Sequence, residues 1–142
     1  MLVTKQIEID MGHRVPNHKS KCRNLHGHRY KIEVGVDDKI QSSQGKSDEG
    51  MVIDYSDFKE LIMVIDRVYD HSFTIYSNDP LVKYFRDFKD GLDLKINIVD
   101  FIPTAENLAK YWFEKLKVIL EPIKIKHVKV WETPTSTATY QE

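Results

Sequence analysis

Six histidines (His13, His18, His26, His28, His71 and His127) stand against a single cysteine, Cys22, and four of the six fall within the first 28 residues. His26-Gly-His28 is the sharpest local pattern. Alternate residues of an extended chain point the same way, so both imidazoles can reach one ion. His13 continues the parity of Ile7, Ile9 and Met11, and His26 and His28 that of Tyr30 and Ile32. If the two segments pair, three histidines converge on the covered side. Neutral imidazoles in that number suit Zn²⁺ with one position left open, as at a catalytic rather than a structural site. For any single one of them, a hydrogen bond to backbone is the better account of burial; it is three sharing one orientation that favour a metal.

Around Cys22 the charge is one-sided. From His13 to Lys31 there are six bases (Arg14, Lys19, Lys21, Arg23, Arg29, Lys31) and no acidic residue. A thiol in that field, close to a metal, is expected to ionise readily, and the same bases suit an anionic, phosphorylated substrate. Three readings stay open for Cys22: reactive thiolate, fourth ligand of a closed Cys/His site, or inert buried thiol. Asp70-His71 can serve as an oriented proton carrier, or simply end a helix. Glu132 shares the parity of Val128 and Val130, an apolar face, so its carboxylate needs a partner. It could accept two hydrogen bonds from the N–H/NH₂ edge of a guanine-like or pterin ring, or stand in water at a strand end.

The elements that must position these groups follow from periodicity. Residues 3–13 and 28–36 alternate as half-buried strands joined by a loop over 14–27. A polar connection runs from Asp37 to Gly50. Asp54 and Ser56 are candidate caps for a helix over 56–69, with Phe58, Leu61, Ile62, Ile65 and Val68 at helical spacing. Asp79-Pro80 opens a short helix ending near Gly91, and Leu94, Ile96 and Ile98 suggest a strand. Pro103-Thr104 opens a helix that Pro122 stops. Residues 123–132 read as a strand and 135–140 as its hairpin partner. Ile123 and Ile125 lie on one parity of that strand and Val128 and Val130 on the other, so either both faces are covered or a bulge shifts the phase. The order predicts one compact α+β domain with antiparallel pairing.

Composition narrows the function classes. With 142 residues, one domain is expected. Twenty-one Lys+Arg against 22 Asp+Glu leave a net charge of −1, unlike a nucleic-acid coat or polybasic membrane binder. One cysteine excludes an internal disulfide. The N-terminal stretch lacks the apolar segment of a signal peptide and nothing approaches a spanning helix, so a cytoplasmic setting is expected.

Taken together, Gly-His13-Arg, Cys22-Arg-Asn-Leu-His26-Gly-His28-Arg-Tyr, Gly50-Met-Val-Ile-Asp54-Tyr, Asp70-His71, Pro103-Thr-Ala-Glu106-Asn-Leu and Trp131-Glu132-Thr resemble the 6-pyruvoyl-tetrahydropterin synthase / 6-carboxy-tetrahydropterin synthase family. The segments occur in family order over nearly the whole chain. The resemblance implies a tunnelling fold: an antiparallel sheet with two main helices on one face, strands completing a barrel in a trimer, and two trimers forming a homohexamer with sites between subunits. It implies His13, His26 and His28 as zinc ligands, Cys22 as catalytic thiolate, and Asp70 and His71 as a proton relay contributed across the interface. Glu132 would anchor the pterin, with Thr104 and Glu106 lining its pocket, although capping explains Thr104 equally well. Carboxy-forming members place three residues between the thiol and His-x-His and pyruvoyl-forming members five; here Arg23, Asn24 and Leu25 make three. This implies conversion of 7,8-dihydroneopterin triphosphate to 6-carboxy-5,6,7,8-tetrahydropterin with release of acetaldehyde and triphosphate, on the route to queuosine. The pyruvoyl activity and a non-catalytic pterin- or purine-binding oligomer are the alternatives. Residues 73–102 read as an insertion relative to compact members, and Ser-Phe-Thr-Ile after His71 departs from the short form.

Overall fold

A computed structural model describes all residues, Met1–Glu142. Six strands form one sheet in the order β4-β3-β1-β2-β5-β6. Its centre is the long pair β1 (Leu2–His13) and β2 (His26–Asp37), antiparallel along their whole length, with Met11 opposite His28 and His13 opposite His26. β5 (Ile125–Thr133) and β6 (Ser136–Gln141) continue the antiparallel run as a hairpin.

The other edge corrects the expectation of antiparallel pairing throughout. β3 (Ser72–Tyr76) lies parallel to β1, and β4 (Ile96–Val99) parallel to β3. Between β3 and β4 runs α2 (Val82–Leu92). A helix crossing between two strands carries the chain back to the end it left, which makes the strands parallel. The 73–102 stretch is thus largely one strand–helix–strand unit. The short β3 was not apparent from alternation, because Thr74 and Ile75 are both fully buried.

Two longer helices cover one face. In α1 (Tyr55–Tyr69), Asp54 accepts from the Ser56 amide, and Phe58, Ile62, Ile65 and Tyr69 form the buried stripe. In α3 (Ala105–Ile119), the Thr104 hydroxyl accepts from the Asn107 amide, and Leu108, Trp112, Phe113 and Leu116 are buried. These stripes meet Ile7, Ile9, Met11, Tyr30, Ile32, Val34, Val128 and Val130 in one core. The mixed parity of β5 has a local cause: His127 pairs with Gly35 but Ile125 with Val36, a bulge that turns Ile125 into the same core as Val128. No second covered face is needed to explain it.

Where β1 and β2 meet beside the histidines, the backbones are too close for side chains. A Cβ at Gly27 would lie 2.8 Å from the Met11 carbonyl oxygen and 3.3 Å from the Gly12 Cα. Backbone cannot swing aside as a flexible side chain can. Gly27→Ala is therefore expected to cost about 1–3 kcal/mol in chemical denaturation; a variant as stable as the parent would show that the ladder yields there.

Candidate metal centre and substrate recess

The histidines converge at one end of the helix-covered face. Ring centroids of His13, His26 and His28 are 4.6, 5.1 and 5.1 Å apart, and one ring nitrogen from each falls within 4.8 Å of the others. Backbone carbonyls hold two of the rings by Nδ1: Pro103 O is 2.7 Å from His13, and Asn24 O is 2.8 Å from His26. Donation to a carbonyl requires the proton on Nδ1 and leaves the Nε2 lone pair free. His28 Nε2 is buried without any hydrogen-bond partner. Burial lowers the pKa of His13 to about 4 and pulls that of His28 down as well, against the opposing pull of Glu132. Burial that disfavours charge on His13 and His28, carbonyl acceptors that orient His13 and His26, and an orphaned nitrogen on His28 suit a divalent cation with a preference for imidazole. The donor set fits a metal ion.

Tyr30 lies beneath this cluster, its hydroxyl 3.3 Å from both ring nitrogens of His13. Burial, with the charges of Glu132 and Cys22 nearby, pushes its pKa far up, so the phenol stays protonated. Cys22 sits half-buried in the single 3₁₀ turn Lys21–Arg23. It is outside the group of mutually close metal-ligating atoms, which argues against the closed Cys/His site. The turn is held by Val15 N–H donating to Cys22 O and by Ser20 N–H donating to His18 Nδ1, giving His18 a structural role. Glu132 is half-buried, 3.8 Å from His28 Nε2. It lines a recess of about 370 Å³ with His28, Trp131, Thr133 and Pro134 and with Glu8, Arg29 and Lys31, which lie on the sheet parity of Asp10 rather than of His13. Thr104 and Glu106 do not line that recess; Thr104 caps α3 and Glu106 is in its first turn.

The bases divide. Arg29 pairs with Asp10 through Nε and Nη2 at 3.0 and 2.9 Å, Arg14 faces Asp79, and Lys31 lies 4.2 Å above the Trp131 ring. Lys19, Lys21 and Arg23, flanking Cys22, have no carboxylate partner.

Asp70 and His71 form a separate constellation. His71 Nδ1 donates to Asp70 Oδ2 at 2.7 Å, and the Asp10 backbone clamps both residues: its N–H donates to Asp70 Oδ1 and its carbonyl accepts from His71 N–H, each at 2.8 Å. The Asp10 amide and His71 keep Asp70 below the usual carboxylate range. His71 adopts a left-handed φ of 54° and is largely exposed. The dyad gathers with Asp10, on the sheet parity opposite His13, and not with the three histidines. Within one chain the Asp70-His71 dyad and the histidine cluster are apart. His127, which suggests no chemistry by sequence position, donates to Glu33 at 3.1 Å in the space left by Gly35. Pro103 O and Tyr30 OH, both central to His13, carry no sequence signal beyond proximity to motifs.

The profile of the family described as 6-pyruvoyl tetrahydropterin synthase matches residues 2–142. A Haemophilus influenzae protein named 6-carboxy-5,6,7,8-tetrahydropterin synthase is 35% identical, the alignment covering 99% of this chain and 98% of the relative. An Aquifex aeolicus protein of the same name is also 35% identical, covering 99% and 97%. Among solved structures, an uncharacterized protein from Wolinella succinogenes superposes with a TM-score of 0.84 at 26% identity, covering 100% of this chain and 98% of the other. The Caenorhabditis elegans 6-pyruvoyl tetrahydropterin synthase gives 0.71 at 24%, covering 100% and 95%, and shares the fold.

Burial of neutral His13 has a measurable cost. Its pKa is about 4 folded and about 6.5 unfolded, so below pH 6.5 the unfolded chain gains a proton that the folded chain refuses. Stability from this group is full above pH 6.5 and is lost as pH falls toward 4. Urea titration of the metal-free chain is expected to show about 3 kcal/mol lost over that window, with the dependence flattened in His13→Gln. An equally steep dependence in that variant would mean that His13 is not the responsible group.

Proposed function

The chain belongs to the 6-pyruvoyl tetrahydropterin synthase family, and from that premise we propose that it is a zinc-dependent lyase forming 6-carboxy-5,6,7,8-tetrahydropterin from 7,8-dihydroneopterin triphosphate. The reading is carried by one coincidence: a full-length match to proteins named for that product, with His13, His26 and His28 clustered and only three residues between Cys22 and His26. His13, His26 and His28 would hold the ion, which when bound supplies Lewis-acid polarisation of the substrate's side-chain oxygens.

The chain's own groups have distinct work. Glu132 presents a carboxylate to the N–H/NH₂ edge of the pterin, and the recess it lines has room for the ring. Trp131 and Thr133 bound that ring's approach. Cys22, among Lys19, Lys21 and Arg23, takes a proton from a side-chain carbon, and the same three bases receive the triphosphate. Asp70 holds His71 in one tautomer, so that its other nitrogen carries protons to and from the reacting carbons. Thr104, next to the Pro103 that holds His13, and Glu106 in the first turn of α3 would line the pterin's pocket from the metal side.

The separation of Asp70-His71 from the histidine cluster supports a site completed by a second copy. β4 and β6, the sheet edges, each lack an outer partner in the single chain, which supports closure of a barrel by three copies and stacking of two such trimers. The carboxypterin product suits a place in queuosine synthesis, and no helix is long and apolar enough to cross a membrane.

Incubating zinc-loaded protein with dihydroneopterin triphosphate and identifying products by mass spectrometry tests the reading. Acetaldehyde with carboxytetrahydropterin is expected, with kcat lowered about 10²–10⁴-fold in Cys22→Ala. A pyruvoyl product would place the chain in the other branch, and no turnover would make it a pterin-binding oligomer.

A further inference from the structure

His13 lies between two contacts that come from opposite ends of the 73–102 stretch. At one end, the Pro103 carbonyl accepts from its Nδ1 at 2.7 Å. At the other, Asp79, in the turn ahead of α2, reaches the residue that follows His13. Asp79 Oδ2 is 2.7 Å from Arg14 Nε, and the Asp79 side chain is fully buried. Its Oδ1 accepts from the Leu81 N–H, and its own N–H donates to Tyr76 O, so the carboxylate is fixed to the turn that leads from β3 into α2. The Arg14–Asp79 contact is an ion pair rather than an aligned hydrogen bond, since neither Nε nor Oδ2 satisfies hydrogen-bond geometry. A carboxylate removed from water is tolerated only beside its counter-charge, and removing either partner leaves an uncompensated buried ion. The pair therefore pins the end of β1 to the β3–α2 turn at the residue next to a ligand.

We propose that Asp79 is a positioning residue for the metal centre, acting through Arg14 to hold His13 between the β3–α2 turn and Pro103. The proposal rests on the reading of His13 as a metal ligand. Outer-shell groups that orient a ligating imidazole are worth about ten- to hundredfold in metal affinity. The pair ties the strand–helix–strand unit to the part of the chain that carries the ligands.

The test compares the parent, His13→Ala, Asp79→Asn and the apolar double variant Arg14→Met/Asp79→Leu. Zinc affinity is measured by chelator competition, and the visible ligand-field spectrum is recorded after Co²⁺ substitution, both well below the unfolding temperature. The parent should bind one zinc per chain and His13→Ala should lose it. Asp79→Asn should keep the stoichiometry, weaken zinc by about ten- to hundredfold, and alter the Co²⁺ spectrum. The double variant removes both buried charges and restores packing, yet should remain weakened, because no tether holds the strand end. Parent-like affinity and spectrum in either folded variant would overturn the proposal. So would loss of fold in both, since the pair would then be purely structural. Zinc retained by His13→Ala, or absent from the parent, would instead overturn the metal reading and the inference with it.

Discussion

A buried imidazole offers a lone pair to a metal only if its other nitrogen is already satisfied and its proton cannot be regained from water. The rest of this molecule is arranged around that constraint. His13 is 1% exposed, so nearly all the solvation that would favour its charged form is gone. Pro103 O accepts a hydrogen bond from His13 Nδ1–H, Asn24 O does the same for His26, and His28 Nε2 is left without a partner. The sheet makes this possible, because directly opposed residues of an antiparallel pair share a face, and His13 stands opposite His26. Gly27, with no Cβ to meet the Met11 carbonyl, lets β2 run close to β1 beside the cluster, and Gly12 opposite it leaves room for the Phe73 ring of β3.

The same sheet separates what it does not need together in one chain. Odd residues of β1 face the helices and the histidine cluster, while Asp10, of the other parity, gathers Asp70, His71 and Arg29 on the open face. The backbone of Asp10 holds Asp70-His71 through two hydrogen bonds, so the dyad is preorganised even though it is exposed. The hydrogen-bonded dyad faces outward on one side of the sheet and the histidine cluster is half-enclosed on the other. That arrangement supports a site assembled between copies more strongly than any single motif does.

Much of this was legible in the residues. The two histidine-bearing strands, the capped helices and the closing hairpin follow from alternation, helical spacing and caps, all local signals. Parity alone put His13, His26 and His28 on one face. What was not legible depended on long-range pairing. β3 and β4 pair in parallel because α2 crosses between them, and five residues in which Thr74 and Ile75 are both buried show no alternation. The bulge opposite Gly35 mimicked a strand covered on both sides. The basic run around Cys22 looked uniform, yet Arg14 and Arg29 are committed to Asp79 and Asp10, residues distant or on another strand. The partner of His13 is a carbonyl at Pro103, and no side-chain pattern can announce a backbone acceptor 90 residues away.

The central claim is that three imidazoles, without the thiol, hold zinc with a position left open for substrate. X-ray absorption at the zinc edge of the loaded protein tests it most directly. The account predicts a first shell of three nitrogen scatterers from His13, His26 and His28 at about 2.0–2.1 Å with additional oxygen, and no sulfur. A sulfur scatterer at about 2.3 Å, placing Cys22 on the metal, would contradict it and return the site to a closed structural centre.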